Sequence, residues 1–385
     1  VRPALDPTLT EVSLERLRRR RSAKWAYYEP DVLPAWVAEM DFPLAAAVKR
    51  ALTEAVELDD CGYAWPDGLG LGEAFAAFAA SRWDWKVDSG SVCAAPDVVG
   101  AIVSLLGAIA KPGDPVVINT PVYHPFFSLI EQLGCELAEA PLVDGGLDPE
   151  AIEERFAAGA VALILCSPHN PTGSVPSRAQ LEAIAAAAER HGAWVLADEI
   201  HAPLMLPGAT HVPFLTVSAA AAERGFALCS ASKAFNLAGL HCAQIVTASE
   251  TAAAVVEGLP FGATHPGHLG ALASVAAFRE GEPWLEGLLG VLDHNRDLLG
   301  RLLAEHLPDA GYEPPEAGYL AWLDLNALGL GEDPAEALLE RGRVALSPGP
   351  SFGPQGAGFA RLNFGTSPAL LEEIVERMAK GARGG

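Results

Sequence analysis

Phe226-Ala227-Leu228-Cys229-Ser230-Ala231-Ser232-Lys233-Ala234-Phe235-Asn236 is the stretch that decides the fold. Its first four residues form an apolar run of strand length, and the small polar residues after it deliver Lys233 to the end of that strand. A lysine placed there loses its proton more easily than one in water and can form a Schiff base with a carbonyl cofactor. The same residues also suit a lysine that snorkels from a sheet edge. The chain has six lysines against twenty arginines. Lys24 lies beyond an arginine run, Lys49 beside Arg50, Lys86 between Trp85 and Val87, Lys111 in a Pro-Gly turn and Lys380 near the C-terminal end. None of these five has the same strand-then-loop setting.

Working outward, short β-rich runs alternate with Ala-rich helical stretches. The pattern predicts strands over Pro115–Asn119, Val161–Cys166, Trp194–Ala197, Phe226–Cys229 and Gln244–Ala248. It predicts helices over Val98–Ala110, Pro125–Leu133, Asp148–Ala157, Arg178–His191 and Thr251–Glu257. Such alternation indicates an α/β fold with a mostly parallel central sheet. After about residue 283 the pattern changes to a helix Trp284–Leu307, a strand Tyr319–Leu325, a helix near Pro334–Arg341, a Gly/Pro-rich loop Ser347–Gly358, a run Arg361–Phe364 and a last helix. The expected division is a large domain over residues 46–282, with residues 1–45 and 283–385 forming a smaller α+β domain.

Open parallel sheets bind ligands beyond the carboxyl ends of their strands. Three predicted strand ends carry polar residues: Ser167-Pro168-His169-Asn170-Pro171-Thr172-Gly173, Asp198-Glu199-Ile200-His201 and the Ser-x-Ser-Lys segment. Asn170, Asp198 and Lys233 are thus expected to face one cleft.

The whole chain bounds the function. Of 385 residues, 50% are hydrophobic and 19% charged, which suits a sizeable core and not a disordered chain. The formal net charge of −23 repels phosphate backbones, so no nucleic-acid partner is expected. The run Arg18-Arg19-Arg20-Arg21 reads as a solvated face of an N-terminal helix. Cys61, Cys93, Cys135, Cys166, Cys229 and Cys242 form no C-x-x-C pair and no metal-type spacing. They suit a reducing compartment, and no metal site is expected. No signal-peptide pattern opens the sequence, and the longest apolar run, Val98 to Ala110, is too short to span a bilayer. A cytoplasmic protein without a membrane partner is expected.

A pyridoxal 5′-phosphate (PLP) site needs a lysine for the aldehyde, an acid for the pyridine nitrogen, a face for the ring and donors for the phosphate. Lys233 supplies the first. Asp198 is the candidate acid, although a helix cap would explain it equally. Tyr123, in Thr120-Pro121-Val122-Tyr123-His124-Pro125, can stack on the ring or sit half-buried in its loop. Asn170 can bond the ring hydroxyl, although Asn-Pro-Thr-Gly is also an ordinary turn. His201 is a further candidate contact. The phosphate has a seat at Ala95-Pro96-Asp97-Val98-Val99, where the N–H groups opening a helix face an anion, with Ser230 and Ser232 adding hydroxyl donors.

The ordered set Asn-Pro-Thr-Gly, Asp-Glu-Ile-His, Ser-x-Ser-Lys and Arg361-Leu362-Asn363-Phe364-Gly365 resembles the fold-type-I, aspartate-aminotransferase-like PLP enzymes over the whole chain. Trp36-Val37-Ala38-Glu39-Met40-Asp41-Phe42, Cys61-Gly62-Tyr63 and Lys233-Ala234-Phe235-Asn236-Leu237-Ala238-Gly239-Leu240 are similar to the bacterial cystathionine β-lyase (C–S lyase) branch. The resemblance implies that Lys233 bonds the cofactor aldehyde and later moves the Cα proton. It pairs Asp198 with the ring nitrogen, Asn170 with the ring oxygen and Tyr123 with the ring face. Arg361 would hold the substrate α-carboxylate through two parallel bonds, a geometry lysine cannot copy; an interdomain salt bridge is the alternative. Tyr63 would reach the phosphate in the neighbouring subunit of a homodimer. Trp36, Tyr319 and the Ser347–Gly353 loop would line the substrate cleft.

Two positions depart from the family pattern. His241 stands eight residues after Lys233, where many aminotransferases carry arginine; the lyase branch usually lacks that arginine too. Asp97 stands where the branch commonly has glycine, and an acid near a phosphate is unfavourable unless it caps the helix instead. The expected activity is α,β-elimination on an L-amino acid with sulfur at Cβ, such as L-cystathionine or a cysteine S-conjugate, giving a thiol, pyruvate and ammonia. Transamination by the same residues is the first alternative. A PLP-fold regulatory or binding protein is the second.

Overall fold

The computed structural model describes residues 5–65 and 69–384. Seven strands form the central sheet: β1 (Val92–Ala95), β2 (Pro115–Ile118), β3 (Glu136–Glu139), β4 (Ala162–Cys166), β5 (Trp194–Asp198), β6 (Gly225–Cys229) and β7 (Ala243–Val246). Their order is β1-β7-β6-β5-β4-β2-β3. Only β7 runs against its neighbours. All residues of β4 and β6 are buried, as expected for parallel strands covered on both faces.

Among the described residues, eleven helices of eight residues or more are α1 (Ala46–Glu57), α2 (Leu71–Trp83), α3 (Val98–Ile109), α4 (Pro125–Gln132), α5 (Pro149–Ala157), α6 (Arg178–His191), α7 (Glu250–Glu257), α8 (His268–Glu280), α9 (Glu282–His306), α10 (Pro334–Gly342) and α11 (Pro368–Ala382). Helices α3, α4 and α7 pack one sheet face with Ile164, Leu196 and Phe226. Helix α6 packs the other with Leu163, Val195 and Ala197. Strand alternation makes this split, because neighbouring residues point to opposite faces. Helix α6 begins with a capping box between Ser177 and Gln180 and ends at Gly192, whose φ of 67° lies in the left-handed region open to glycine.

The sequence predicts the β2, β4, β5, β6 and β7 strands and the α3–α7 helices to within a residue or two. It does not predict β1, β3, α1, α2 or α8. The β3 strand Glu-Leu-Ala-Glu is a part-exposed edge, so it lacks the apolar run that marks a central strand.

A second sheet of β8 (Gly311–Tyr312), β9 (Leu320–Asp324), β10 (Ser347–Pro348) and β11 (Phe359–Asn363) is antiparallel, in the order β10-β11-β9-β8. Leu33–Pro34 pairs in parallel with Val344–Ala345, which draws the N-terminal segment to this side of the molecule. In the central sheet Cys166 lies opposite Asp198, and Asp198 opposite Leu228. The loops after β4, β5 and β6 therefore open side by side. No helix among the described residues is long and apolar enough to cross a membrane.

Candidate active site

One cavity of ≈ 390 Å³ collects the residues singled out at the strand ends. Asn170 follows β4, Asp198 ends β5, and Ser232 and Lys233 lie in the short helical turn after β6. Trp36, Asp97, Val98, Tyr123, His201 and Arg361 complete the predicted set in its wall. Helix α3 aims its first turn at this cavity. The Asp97 carboxylate does not oppose an anion there freely: Oδ1 accepts from Gly100 N at 2.7 Å, and Oδ2 lies 3.3 Å from His241 Nδ1. Asp97 is thus the helix cap, leaving the N–H groups of Val98 and Val99 outside the helical ladder.

Burial sets the charges. Loss of hydration pulls the Lys233 amine down to about 8, and nearby Arg361 adds to the fall. Burial raises the Asp198 carboxyl to about 6, against the Ile200 N–H and the Lys233 charge, which favour its ionised form. Burial, with Lys233 and Arg361, holds His201 down to about 3, so it is neutral near neutral pH. Arg361 is 3% exposed and lies over the Phe352 ring at 4.9 Å. It donates to Asn170 Oδ1 at 2.9 Å and to Trp36 O and Ser347 Oγ at 3.0 Å, while its Nε is buried without a partner. Because Asn170 Oδ1 accepts from Arg361, the Asn170 amide N–H groups are turned to donate elsewhere.

The Trp36–Phe42 segment forms part of the wall without helix or strand, so its backbone needs other partners. Side chains bond every one of its carbonyls. Ser347 and Arg361 donate to Trp36 O, and Asn363 donates to both Val37 O and Glu39 O at 2.7 Å. Lys233 Nζ and Tyr319 OH both donate to Ala38 O at 2.9 Å. Lys24 donates to Glu39 O, and Arg20 to Met40, Asp41 and Phe42. Asn236 grips Met40 at two points, accepting from its N–H and donating to its carbonyl, each at 2.9 Å. A buried ion pair, Lys24 Nζ to Asp41 Oδ2 at 2.8 Å, ties the segment down from behind.

Three predicted residues stand outside the cavity wall. The Ser230 hydroxyl donates to Cys242 O at 2.7 Å and contacts Ser232 Oγ at 2.8 Å, because it caps the turn that carries Lys233. Tyr319 is fully buried behind the wall, drawn to the Ala38 carbonyl. Tyr63 is fully exposed and forms no part of this chain's cavity. Sequence reasoning expected the Ser347–Gly353 loop at the cleft, and Ser347 lines the cavity; it did not single out Asn236 or Asn363. The last two lie in the quoted Lys-Ala-Phe-Asn and Arg-Leu-Asn runs, so a signal was present.

The residues fit PLP on the structure's own terms. Asp198 is a buried carboxylate aimed into the cavity with no cation within ion-pair distance among the described residues. A protonated ring nitrogen supplies that charge. Free N–H groups at the α3 start and the Ser232 hydroxyl suit a phosphate.

The sequence profile of the class I and II aminotransferases matches residues 44–378. A Mycobacterium tuberculosis protein provisionally named a cystathionine beta-lyase is 44% identical, with 97% of each chain covered. A Corynebacterium glutamicum cystathionine beta-lyase is 38% identical over 95% of this chain and 98% of its own. The PLP-bound C-S lyase of Staphylococcus hominis superposes with a TM-score of 0.89 at 25% identity, covering 98% of this chain and 99% of its own. An aspartate aminotransferase from Pyrococcus abyssi stands further off, at 26% identity over 92% of each chain.

Proposed function

Because the chain belongs to the class I and II aminotransferase family of fold-type-I PLP enzymes, and within it to the cystathionine β-lyase branch, we propose that it is a PLP-dependent carbon–sulfur β-lyase. It cleaves L-cystathionine or cysteine S-conjugates to a thiol, pyruvate and ammonia. The observation that carries this reading is the convergence of Lys233, Asp198 and Arg361 on one cavity.

When bound, PLP supplies an electron sink for the charge left at Cα after proton loss. Asp198 would pair with the ring nitrogen and favour its protonated form. Tyr123 would pack against the ring, and Asn170, with its oxygen engaged by Arg361, would donate to the ring oxygen. Val98, Ser232 and their neighbours would hold the phosphate, and neutral His201 would contact the ring. Arg361 anchors the substrate α-carboxylate, which orients the Cα–H bond. The Lys233 amine, with its affinity for a proton lowered by burial, takes the Cα proton as general base. In its free form the amine is held by the Ala38 carbonyl, within the wall of the same cavity. Trp36 lines the substrate side.

The active unit in this reading is a homodimer in which Tyr63 reaches the neighbouring site. Val56, Leu58, Tyr63, Trp65 and Phe261 are all well exposed, an apolar surface suited to a second copy. Residues 46–282 form the cofactor domain, and residues 1–45 with 283–385 form the smaller one; the Leu33–Pro34 pairing with Val344–Ala345 supports this.

Pyruvate release from L-cystathionine by PLP-loaded protein without a keto acid tests the reaction. Steady release over many turnovers is expected. Activity that appears only once a keto-acid acceptor is supplied would reassign the chain as an aminotransferase.

A further inference from the structure

Tyr319 has no part in the reaction above, yet its hydroxyl meets the same atom as the Lys233 amine. Lys233 Nζ and Tyr319 OH both donate to Ala38 O at 2.9 Å, and they are its hydrogen-bond partners among the described residues. A carbonyl oxygen has two lone pairs, so the two donors use both. The neighbouring carbonyls are held from elsewhere: Val37 O and Glu39 O by Asn363, and Trp36 O by Ser347 and Arg361. In the PLP reading, Lys233 leaves Ala38 O while it is bonded to the cofactor. Tyr319 then remains to fix the direction of that carbonyl, in a segment that has no helix or strand to do so.

The surroundings hold Tyr319 in place. It is 0% exposed, its own carbonyl accepts from Phe364 N at 2.9 Å, and the His201 ring meets its ring edge-on at 6.1 Å. Gly365 leaves the room it needs: a Cβ there would lie 3.2 Å from Tyr319 Cδ2 and 2.8 Å from Met40 Cγ. Burial pushes the Tyr319 hydroxyl well above the ordinary phenol value, against the pull of Arg361, so it stays protonated and donates. An amine that gives one N–H to a fixed acceptor keeps its lone pair in a fixed direction.

We propose that Tyr319 is a positioning residue: it keeps the Ala38 carbonyl aimed into the cavity, so that the Lys233 amine, once free of the cofactor, is caught in one place and one orientation. This rests on the PLP reading above. Tyr319 stands outside the cavity wall and acts through Ala38.

The test compares Tyr319→Phe with Tyr312→Phe. The second is a control that removes another tyrosine hydroxyl from a backbone carbonyl, Arg296 O at 3.1 Å, away from the cavity wall. One readout is the rate at which cofactor-free protein captures PLP, followed by visible absorbance across pH; capture needs the neutral amine. The other is kcat and KM for L-cystathionine with PLP-loaded protein. Arg361 disfavours the Lys233 charge, Asp198 and Glu39 favour it, and Asp97, Tyr123 and His201 share the cavity wall. Both variants leave all six in place. In Tyr319→Phe the loosened carbonyl steadies the charged amine less. The capture midpoint is therefore expected to move down by about 0.5–1 pH unit, which makes capture about three- to tenfold faster at about pH 6.5. The kcat is expected to fall about tenfold with KM within about twofold, the pattern of lost positioning in the reaction step. Tyr312→Phe is expected to match wild type in both readouts. An unchanged capture midpoint in Tyr319→Phe, a change in KM alone, or equal effects in the control would overturn the proposal. Wild-type protein that captures PLP but releases no pyruvate would overturn the lyase reading, while the capture midpoint would still decide the role of Tyr319. Wild-type protein that captures no PLP would overturn the PLP reading and this inference with it.

Discussion

At the scale of single residues, two ionisations frame activity. Lys233 must be neutral to accept a proton, and burial sets its amine at about 8, so the competent fraction grows as pH rises through that value. Asp198 must be charged, and its carboxyl at about 6 loses that charge as pH falls through 6. Turnover is therefore expected to decline below about pH 8 and more steeply below about pH 6; a kcat profile flat across that range would contradict both assignments. Lys233→Ala is expected to abolish pyruvate release while leaving the far-ultraviolet dichroism unchanged, because the lysine holds the wall through one bond to Ala38 among many others. Normal turnover in that variant would remove Lys233 from the chemistry. Lys233 and Asp198 were legible beforehand because a polar residue at the end of an apolar run stands out in any sequence. Tyr319 was misplaced because a tyrosine beside a strand reads the same whether its hydroxyl meets a ligand or a backbone carbonyl.

At the scale of elements, the Trp36–Phe42 segment is the least regular part of the site and among the most heavily bonded. Its carbonyls take donors from Arg20, Lys24, Lys233, Asn236, Tyr319, Ser347, Arg361 and Asn363. Lys24 is 1% exposed, and its loss strands the equally buried Asp41, which otherwise accepts from Lys24 and from Trp25 Nε1 at 2.7 Å. Lys24→Met is expected to lower stability by about 3–5 kcal/mol, the usual effect of leaving one buried charge without its partner. Urea unfolding measures it, and a loss below about 1 kcal/mol would mean that Asp41 reaches water. The same variant should weaken PLP retention, since the segment it anchors carries the Ala38 carbonyl that holds Lys233. This network was not legible in the sequence: its donors lie up to 326 positions away along the chain.

At the scale of the whole molecule, the proposed dimer makes a sharp prediction. If Tyr63 serves the neighbouring site, Tyr63→Ala and Lys233→Ala subunits are each weak alone. Mixed dimers recover one site with both residues intact, so an equal mixture should regain about a quarter of wild-type activity. No recovery on subunit exchange would place Tyr63 outside the partner's site. The α/β order and the level of the strand ends follow from local pattern: apolar runs of strand length, helical stretches between them and polar residues where the runs stop. Those features depend on neighbours a few residues apart, so the chain alone determined them, and with them the meeting of Asn170, Asp198 and Lys233. The edge strand β3, the Arg361–Asn170 bond and the Glu199–His211 pair were decided only by folding. Each is a contact between side chains far apart in sequence or a matter of which face a residue turns to, and no local periodicity encodes either.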